Sequence, residues 1–530
     1  MAPAAGQIRF RPAPIPFTLE NGETAAGPKY TPATMAGGLA LFDCDGDGDL
    51  DLYFANGAEL PSLKKTAPKY ANRLLLNDGR GAFTDFTETA GLAGHGYDTG
   101  VATGDYDNDG DQDVFVAGVH RNTLYRNEGG CRFTDVTRAA GLEKPDPEFG
   151  PLWAVAGAFF DYDNDGWLDL FVVNYLRWAP DKEPLCPGYC HPKYYEGTPN
   201  SLWRNNRDGT FRDVSAATGI RRHVGKGMGV AVADYDLDGR LDLFVTNDKA
   251  YNFLFRNAGG RFEERAFEAG VALAEHAMEI SGMGADFRDF DNDGLPDIVL
   301  VALENETFPL YRNTGKGFFA ELTGRSGLAA LSARMAGYGP GLFDFDNDGF
   351  KDLFVSRGHV QSLDMRHQWE IEQPNTVFRN LGGRKVAALT AEAGFDAAPP
   401  RRHRGAAFGD LNGDGRIDAV VSALMAPAQI WINESPAPHH WLLIRLEGTT
   451  SNRDGIGARI RVLTPAGSQY NHASPSTGYA STSAGPVHFG LGPASTADLV
   501  EIRWPSGGVQ RLEGVKAGQV LYVKEPAEAP

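Results

Sequence analysis

A nine-residue pattern with aspartate at positions 1, 5 and 9, and at position 3 in all copies but one, recurs seven times in this chain. The copies begin at Asp43 ("DCDGDGDLD"), Asp105 ("DYDNDGDQD"), Asp161 ("DYDNDGWLD"), Asp234 ("DYDLDGRLD"), Asp289 ("DFDNDGLPD"), Asp344 ("DFDNDGFKD") and Asp410 ("DLNGDGRID"). Carboxylates packed so closely repel one another, and a folded chain holds them only with positive charge among them. Successive copies start 55 to 73 residues apart, too far for a short-period β-helix and long enough for one four-stranded unit per copy.

Oxygen donors at positions 1, 3, 5 and 9, a backbone carbonyl at position 7 and a glycine at position 6 suit a hard cation of flexible coordination, and calcium fits best. The expected side-chain ligands are Asp43, Asp45, Asp47 and Asp51; Asp105, Asp107, Asp109 and Asp113; Asp161, Asp163, Asp165 and Asp169; Asp234, Asp236, Asp238 and Asp242. The last three copies supply Asp289, Asp291, Asp293 and Asp297; Asp344, Asp346, Asp348 and Asp352; and Asp410, Asn412, Asp414 and Asp418. The carbonyl at position 7 belongs to Asp49, Asp111, Trp167, Arg240, Leu295, Phe350 and Arg416, giving sites for up to seven ions. Gly48, Gly110, Gly166, Gly239, Gly294, Gly349 and Gly415 stand where the chain turns sharply round the ion, so a positive φ is expected there. An EF-hand needs a glutamate at position 12 and flanking helices. Position 12 is instead apolar in every copy (Phe54, Val116, Val172, Val245, Leu300, Val355, Val421), and runs such as "DLYFAN" and "DLFVTN" read as buried strands.

A second repeat follows at a similar distance, as in "LYRNEGGCRFTDVTRAAGL" (Leu124 to Leu142) and "LWRNNRDGTFRDVSAATGI" (Leu202 to Ile220), and reads as strand, glycine turn, strand and a short Ala-rich link. With the strands flanking each Asp-rich loop, every unit has four strands, and radial repetition of such units makes a β-propeller. The predicted fold is all-β, a seven-bladed propeller with calcium loops over residues 1–437 and a small antiparallel β domain over 438–530. The seventh unit lacks its last strand, and "IRFRPAPIPFTLENG" (Ile8 to Gly22) resembles the missing piece, so the N-terminal strand is expected to complete the final blade.

The net charge of −19 argues against a nucleic-acid partner. The seven loops hold 27 of the aspartates at their four ligand positions, so seven bound dications would leave about −5, and the acidity is mostly ligand. No apolar run reaches the length of a membrane span. "MAPAAGQIRF" has neither a basic region nor an apolar core, while low-affinity calcium modules are usually extracellular, so a secreted or periplasmic protein lacking its leader here is expected. A monomer is expected. Cys186 and Cys190 in "LCPGYCHPKYYEG" are spaced for a small disulfide, with a soft-metal site including His191 as the alternative; Cys44 and Cys131 read as packing residues.

From about His439 the repeat stops, and "HHWLLIRLEGTTSNRDGIGARIRVLTPAG", "HFGLG" (His488 to Gly492) and "LVEIRWPSGGVQRL" (Leu499 to Leu512) alternate apolar and polar residues between turns. The Asp-rich repeats resemble the FG-GAP or VCBS-type repeats of integrin α-like propellers. The tail, with "SNRDGIGARI", "HFGLG" and "WPSG", resembles the ASPIC/UnbV domain. The whole arrangement is similar to a bacterial member of the cartilage acidic protein-like (CRTAC-like) family, which implies a secreted or periplasmic calcium-binding propeller and fixes no reaction.

If the Asp-rich loops join first and second strands, the other connections emerge on the opposite face. One set brings Asn56, His120, Asn174, Asn247, Asp248, Glu304 and His359 there; the other brings His223, Lys226, Glu279, Arg334, Tyr338, His403 and Arg404. Asn174, Asn247, Asp248, Glu304, His359, His120 and His403 are the candidate ligand-binding residues, with Asp248 and His359 expected at a central pocket. Two long connections, Asn174 to Pro199 and Gly358 to Pro374, rise on the same face, where loops on a rigid scaffold tend to carry function. Two function classes follow. The first is a binding module for a glycan, peptide, protein or small molecule; the second is a metalloenzyme or natural-product tailoring enzyme with a further transition metal at the axis, for which no GxSxG, HExxH or nucleotide loop speaks.

Overall fold

The computed structural model describes residues 8–24, 27–186, 188–360, 370–436 and 439–527. The expected domain boundary at 437/438 and the middle of the 358–374 connection lie outside them. The fold is all-β. Seven four-stranded antiparallel units follow one another among the described residues, the first of them within a six-stranded sheet, with first strands at Leu39–Phe42, Asp98–Gly104, Ala154–Phe160, Gly227–Ala233, Ala285–Arg288, Gly337–Phe343 and His403–Gly409. Every Asp-rich loop joins a first strand to its second, as in Asp98–Gly104 to Asp113–Gly118. The seventh sheet takes its outer strand from the other end of the chain: Phe10–Ala13 pairs antiparallel with Gln429–Asn433. Where an Ala-rich link was expected after the outer strand, four units make a single α-helical turn, such as Thr87–Ala90, stopped by Gly91 at φ 78°.

First and second strands are buried on both faces, which explains their unbroken apolar runs. The first strands touch one another in sequence order, and the last, His403–Gly409, returns to the first, Leu39–Phe42. Glycine permits this close approach: a Cβ at Gly100 would lie 2.0 Å from the Val155 carbonyl oxygen of the next unit.

A recurring asparagine at the end of each third strand stitches neighbouring units. Its side-chain amide donates to the position-2 carbonyl of the preceding unit's loop: Asn127 to Cys44 (2.8 Å), Asn205 to Tyr106 (2.7 Å), Asn257 to Tyr162 (2.7 Å), Asn313 to Tyr235 (2.8 Å), Asn380 to Phe290 (2.9 Å) and Asn433 to Phe345 (2.8 Å). Asn77 to Leu411 (2.9 Å) joins the first unit to the seventh. The first of these bonds explains a correction. Cys44 and Cys131, expected as packing residues, form a disulfide between the first two units (Cα–Cα 5.1 Å), because the Asn127 contact brings the turn carrying Cys131 against the first loop. Cys186 and Cys190 form the second disulfide, so the soft-metal alternative with His191 is set aside.

The C-terminal region also departs from expectation. It has a four-stranded antiparallel sheet, Gly467–His472, Arg459–Thr464, Thr496–Arg503 and Val509–Lys516, and a three-stranded sheet in which His440–Glu447 runs parallel to Gln519–Lys524. It does not stand apart as a purely antiparallel unit. Between residues 473 and 486 a hairpin leaves it and enters the ring, where Ser481–Ser483 adds in parallel to Leu39–Phe42. The two short strands of this hairpin touch the first strands of all seven units. At its tip Tyr479 is fully buried, donating its hydroxyl to the Met35 carbonyl (2.7 Å) and packing edge-on against Tyr338.

The asparagine stitch is testable. Asn257→Ala removes side-chain bonds to Tyr162, Leu241 and Gly260 at a fully buried position, and denaturant unfolding should read a loss of roughly 2 to 4 kcal/mol. Asn206→Ala, next to an equivalent stitch but exposed, should stay within about 0.5 kcal/mol of the parent.

Candidate metal centres and candidate binding face

In all seven loops the position-1 carboxylate accepts the amide N–H of the position-6 glycine, at 2.7 to 3.1 Å. Each of these glycines has the expected positive φ, between 77° and 102°. The position-9 carboxylate is held from two sides: one oxygen accepts the N–H of position 2, the other the backbone N–H of the third-strand asparagine, as Asp242 does from Tyr235 (3.1 Å) and Asn257 (2.7 Å). The position-5 carboxylate accepts the N–H of position 7, as Asp109 does from Asp111 (2.9 Å). One carboxylate oxygen from each of positions 1, 3 and 9 lies within 4.8 Å of the others in the first four loops.

Several of these oxygens are buried without a partner: Asp107 Oδ1, Asp163 Oδ1, Asp236 Oδ1 and Asp346 Oδ1 at position 3, and Asp289 Oδ1 at position 1. Buried acceptors without donors are costly, and a cation among them is the natural remedy. Burial, reinforced by neighbouring carboxylates, pushes Asp105 up to about 8, Asp51 and Asp161 to about 7, and Asp234, Asp289 and Asp348 to about 6. Part of the neutralising charge comes from the chain. In four units the arginine before the stitching asparagine pairs with positions 3 and 5: Arg204 with Asp163 (2.8 Å) and Asp165 (3.1 Å), Arg256 with Asp236 (2.6 Å) and Asp238 (2.9 Å), Arg312 with Asp291 and Asp293, and Arg379 with Asp346 (2.7 Å) and Asp348 (2.8 Å). The recurring "RN" pair in the third strands was the sequence signal for both roles.

The C-terminal region covers this loop face. Arg445 pairs with Asp43 (2.6 Å), Asp454 accepts the Asp105 N–H (2.9 Å), Arg459 donates to the Gly294 carbonyl, Lys351 donates to the Tyr470 carbonyl (2.8 Å), and Trp441 lies over Gly415. The hairpin enters the ring from the same side.

On the opposite face the seven candidate binding residues divide. Asn174 ties the 174–199 connection through Pro199 (2.9 Å), Asn247 does the same for its own connection through Lys226 (2.7 Å) and Tyr251 (2.8 Å), and His120 bonds the Trp178 carbonyl (2.8 Å). His403 is fully buried between the Arg357 carbonyl (2.7 Å) and Gln429 (2.8 Å). These four hold connections and strands in place, although Asn174 Oδ1 is itself buried without a partner. Asp248, Glu304 and His359 keep unsatisfied capacity: Asp248 Oδ1, both Glu304 carboxylate oxygens and His359 Nε2 are buried without partners. Asp248 accepts the Tyr175 hydroxyl (2.6 Å) with its other oxygen. Burial raises the Asp248 and Glu304 carboxyls and lowers the His359 imidazole. The Glu306 carboxylate is among the charges that act on both Asp248 and His359, and on the same face Arg404 lies over the Tyr338 ring at 3.9 Å. Asp248, Glu304 and His359 are all buried.

Comparison with known proteins agrees with this architecture. The profile of FG-GAP-like repeats matches residues 43–116, 105–172, 194–245, 234–300 and 289–355, and that of ASPIC and UnbV matches 448–530. Human cartilage acidic protein 1 is 24% identical over 511 residues, covering 93% of this chain and 72% of that protein; the Xenopus tropicalis protein of the same name is 23% identical, covering 90% and 71%. Among solved structures, an Agrocybe aegerita lectin that recognises non-reducing terminal N-acetylglucosamine aligns with a TM-score of 0.41 at 18% identity, covering 74% of this chain and 87% of the lectin. Among the described residues no helix is long and apolar enough to cross a membrane.

The structural role of His403 gives a pH signature. Burial holds its imidazole at about 4, below the ordinary value of 6.5, so it stays neutral in the folded chain and protonates more readily when unfolded. Its stabilising contribution is present above pH 6.5 and lost as pH falls toward 4, amounting to roughly 3 kcal/mol. His403→Gln should therefore lose less stability than the parent on acidification from pH 7 to pH 4, read by denaturant unfolding at each pH.

Proposed function

Because this chain belongs to the FG-GAP-like repeat family and ends in an ASPIC and UnbV domain, we propose that it is a calcium-stabilised, seven-bladed propeller that works outside the cytoplasm as a binding module. Its calcium loops carry its own C-terminal domain, and its opposite face takes a ligand or partner. The orphaned carboxylate oxygens at positions 1 and 3 support the calcium reading, since a hard cation supplies the charge that Asp107 Oδ1 and its counterparts lack. The two disulfides, which use all four cysteines, support an oxidising compartment. Calcium that binds only the folded chain stabilises it by mass action, about 2.7 kcal/mol per loop at a hundred times Kd.

The observation that carries the binding reading is the occupancy of the loop face by the C-terminal domain. It leaves the opposite face, with its long connections and the buried, partly unpaired Asp248, Glu304 and His359, as the end of the ring open to a partner.

Chelation by EGTA should lower the melting temperature strongly, with recovery on adding calcium and much less on adding magnesium; indifference to EGTA in a sample assayed free of calcium rejects the reading. Asp107→Asn sharpens the test by removing one unpartnered charge. The variant should be at least as stable as the parent in EGTA, less stable in calcium, and one ion poorer by metal analysis.

The binding face has its own check. His359→Ala combined with Asp248→Asn, which keeps an acceptor for Tyr175, should leave the melting temperature near the parent's and remove the hits obtained when the calcium-loaded protein is screened on glycan and peptide arrays. Hits that survive the double change place binding elsewhere.

A further inference from the structure

A well-formed cleft stands apart from the face that carries Asp248 and His359. It lies between the C-terminal domain and the loops of the first two units, with a volume of about 440 Å³, within the range of small-molecule sites. We propose that this cleft is a saccharide site that takes a uronic acid, a sugar ring bearing a carboxylate.

Three features of its lining point to that chemistry. Tyr522, on the strand Gln519–Lys524, is 68% exposed and lines the cleft, with the Arg445 guanidinium over its ring at 5.9 Å. An exposed aromatic ring of this kind accepts the C–H face of a pyranose. Arg453 supplies the cation. Its guanidinium is 42% exposed and only loosely compensated, with Glu447 at 3.5 Å and Asp105 at 3.9 Å, whereas Arg445 is committed to Asp43 at 2.6 Å. A planar guanidinium with free N–H groups is suited to bidentate recognition of a carboxylate. Deeper in, His488 lines the cleft, is 5% exposed, and leaves Nε2 without a partner. Burial drives its imidazole down to about 3, so it remains neutral and offers one hydrogen bond to a hydroxyl. Apolar walls from Ile444 and Val487 complete an amphipathic cleft, matching a ligand with an apolar ring face and a polar edge.

The cleft exists only where both domains meet, and it lies on the side of the ring opposite to Asp248 and His359. The proposal therefore does not rest on the free-face reading and can stand or fall without it.

The calcium-loaded full chain should be titrated with D-glucuronate and D-galacturonate, and separately with D-glucose and D-galactose, by saturation-transfer NMR and calorimetry. At least one uronate should bind saturably, with the matching neutral sugar at least about tenfold weaker. Tyr522→Ala and Arg453→Gln, both at exposed side chains, should each weaken uronate binding about tenfold with the melting temperature unchanged, while His359→Ala should not affect it. Absence of saturable binding by either uronate up to about 20 mM, equal binding of neutral and acidic sugars, or indifference to both cleft variants overturns the proposal.

Discussion

Everything in this fold hangs on the buried carboxylate at position 9 of each loop. One of its oxygens ties the start of the loop to its end, as Asp242 does with the Tyr235 N–H, and the other receives the N–H of the asparagine that ends the third strand. That same asparagine reaches across to the loop of the preceding unit. Loop closure, strand pairing within a unit and attachment between units are therefore one network, repeated seven times and returning on itself through Asn77 and Leu411. The network is built on charges that burial disfavours, and each lost pairing would leave a carboxylate in a low-dielectric setting at a cost of several kcal/mol. A cation bound in the loop, as proposed, would therefore act on the integrity of the whole ring.

The arginines preceding the stitching asparagines show how the chain divides the neutralising charge. Arg256 and Arg379 reach positions 3 and 5, the more exposed part of the loop, and leave positions 1 and 9 untouched. The third strand of the first unit has Leu76 at that place, and the seventh has Ile432, so their loops lack this help. Loop 1 instead receives Arg445 from the C-terminal domain, which pairs with Asp43. The domain thus supplies to one loop the positive charge that other loops draw from their own strands.

Much of this was readable in the sequence because repetition turns a weak pattern into a strong one. A single Asp-rich stretch reads equally well as a solvated turn or a metal site, whereas seven in register, each followed by an apolar run, specify loop, strand and unit together. The N-terminal strand was legible because the seventh unit was visibly one strand short. What escaped notice depends on contacts between segments far apart in the chain. Cys44 and Cys131 are 87 residues apart, and nothing local marks them as partners until the Asn127 stitch sets two units side by side. Asn247 and His403 carry polar groups that suit a binding site equally well, and only their hydrogen bonds reveal that they are already committed. The hairpin between residues 473 and 486, "ASPSTGYASTSAGP", is small and polar, and such a composition reads as a surface loop. Its burial follows from the glycines and alanines of the first strands, which leave an axial space that only small side chains and one tyrosine fit.

That hairpin changes what kind of repeat protein this is. In an open array each unit touches only its neighbours, so stability is close to a sum of local terms and one damaged unit can melt alone. Here a single segment, with Gly478 bonded to Ala285, Ala480 to Val101 and Tyr479 to Met35, touches the first strand of every unit at once. A shift in any first strand is felt by the hairpin, and the hairpin is continuous with the sheets that rest on the loops. The ring, the axis and the C-terminal domain consequently form one cooperative body. The repeats determine the shape of each unit, but the non-repeating segment through the axis couples each unit to all the others.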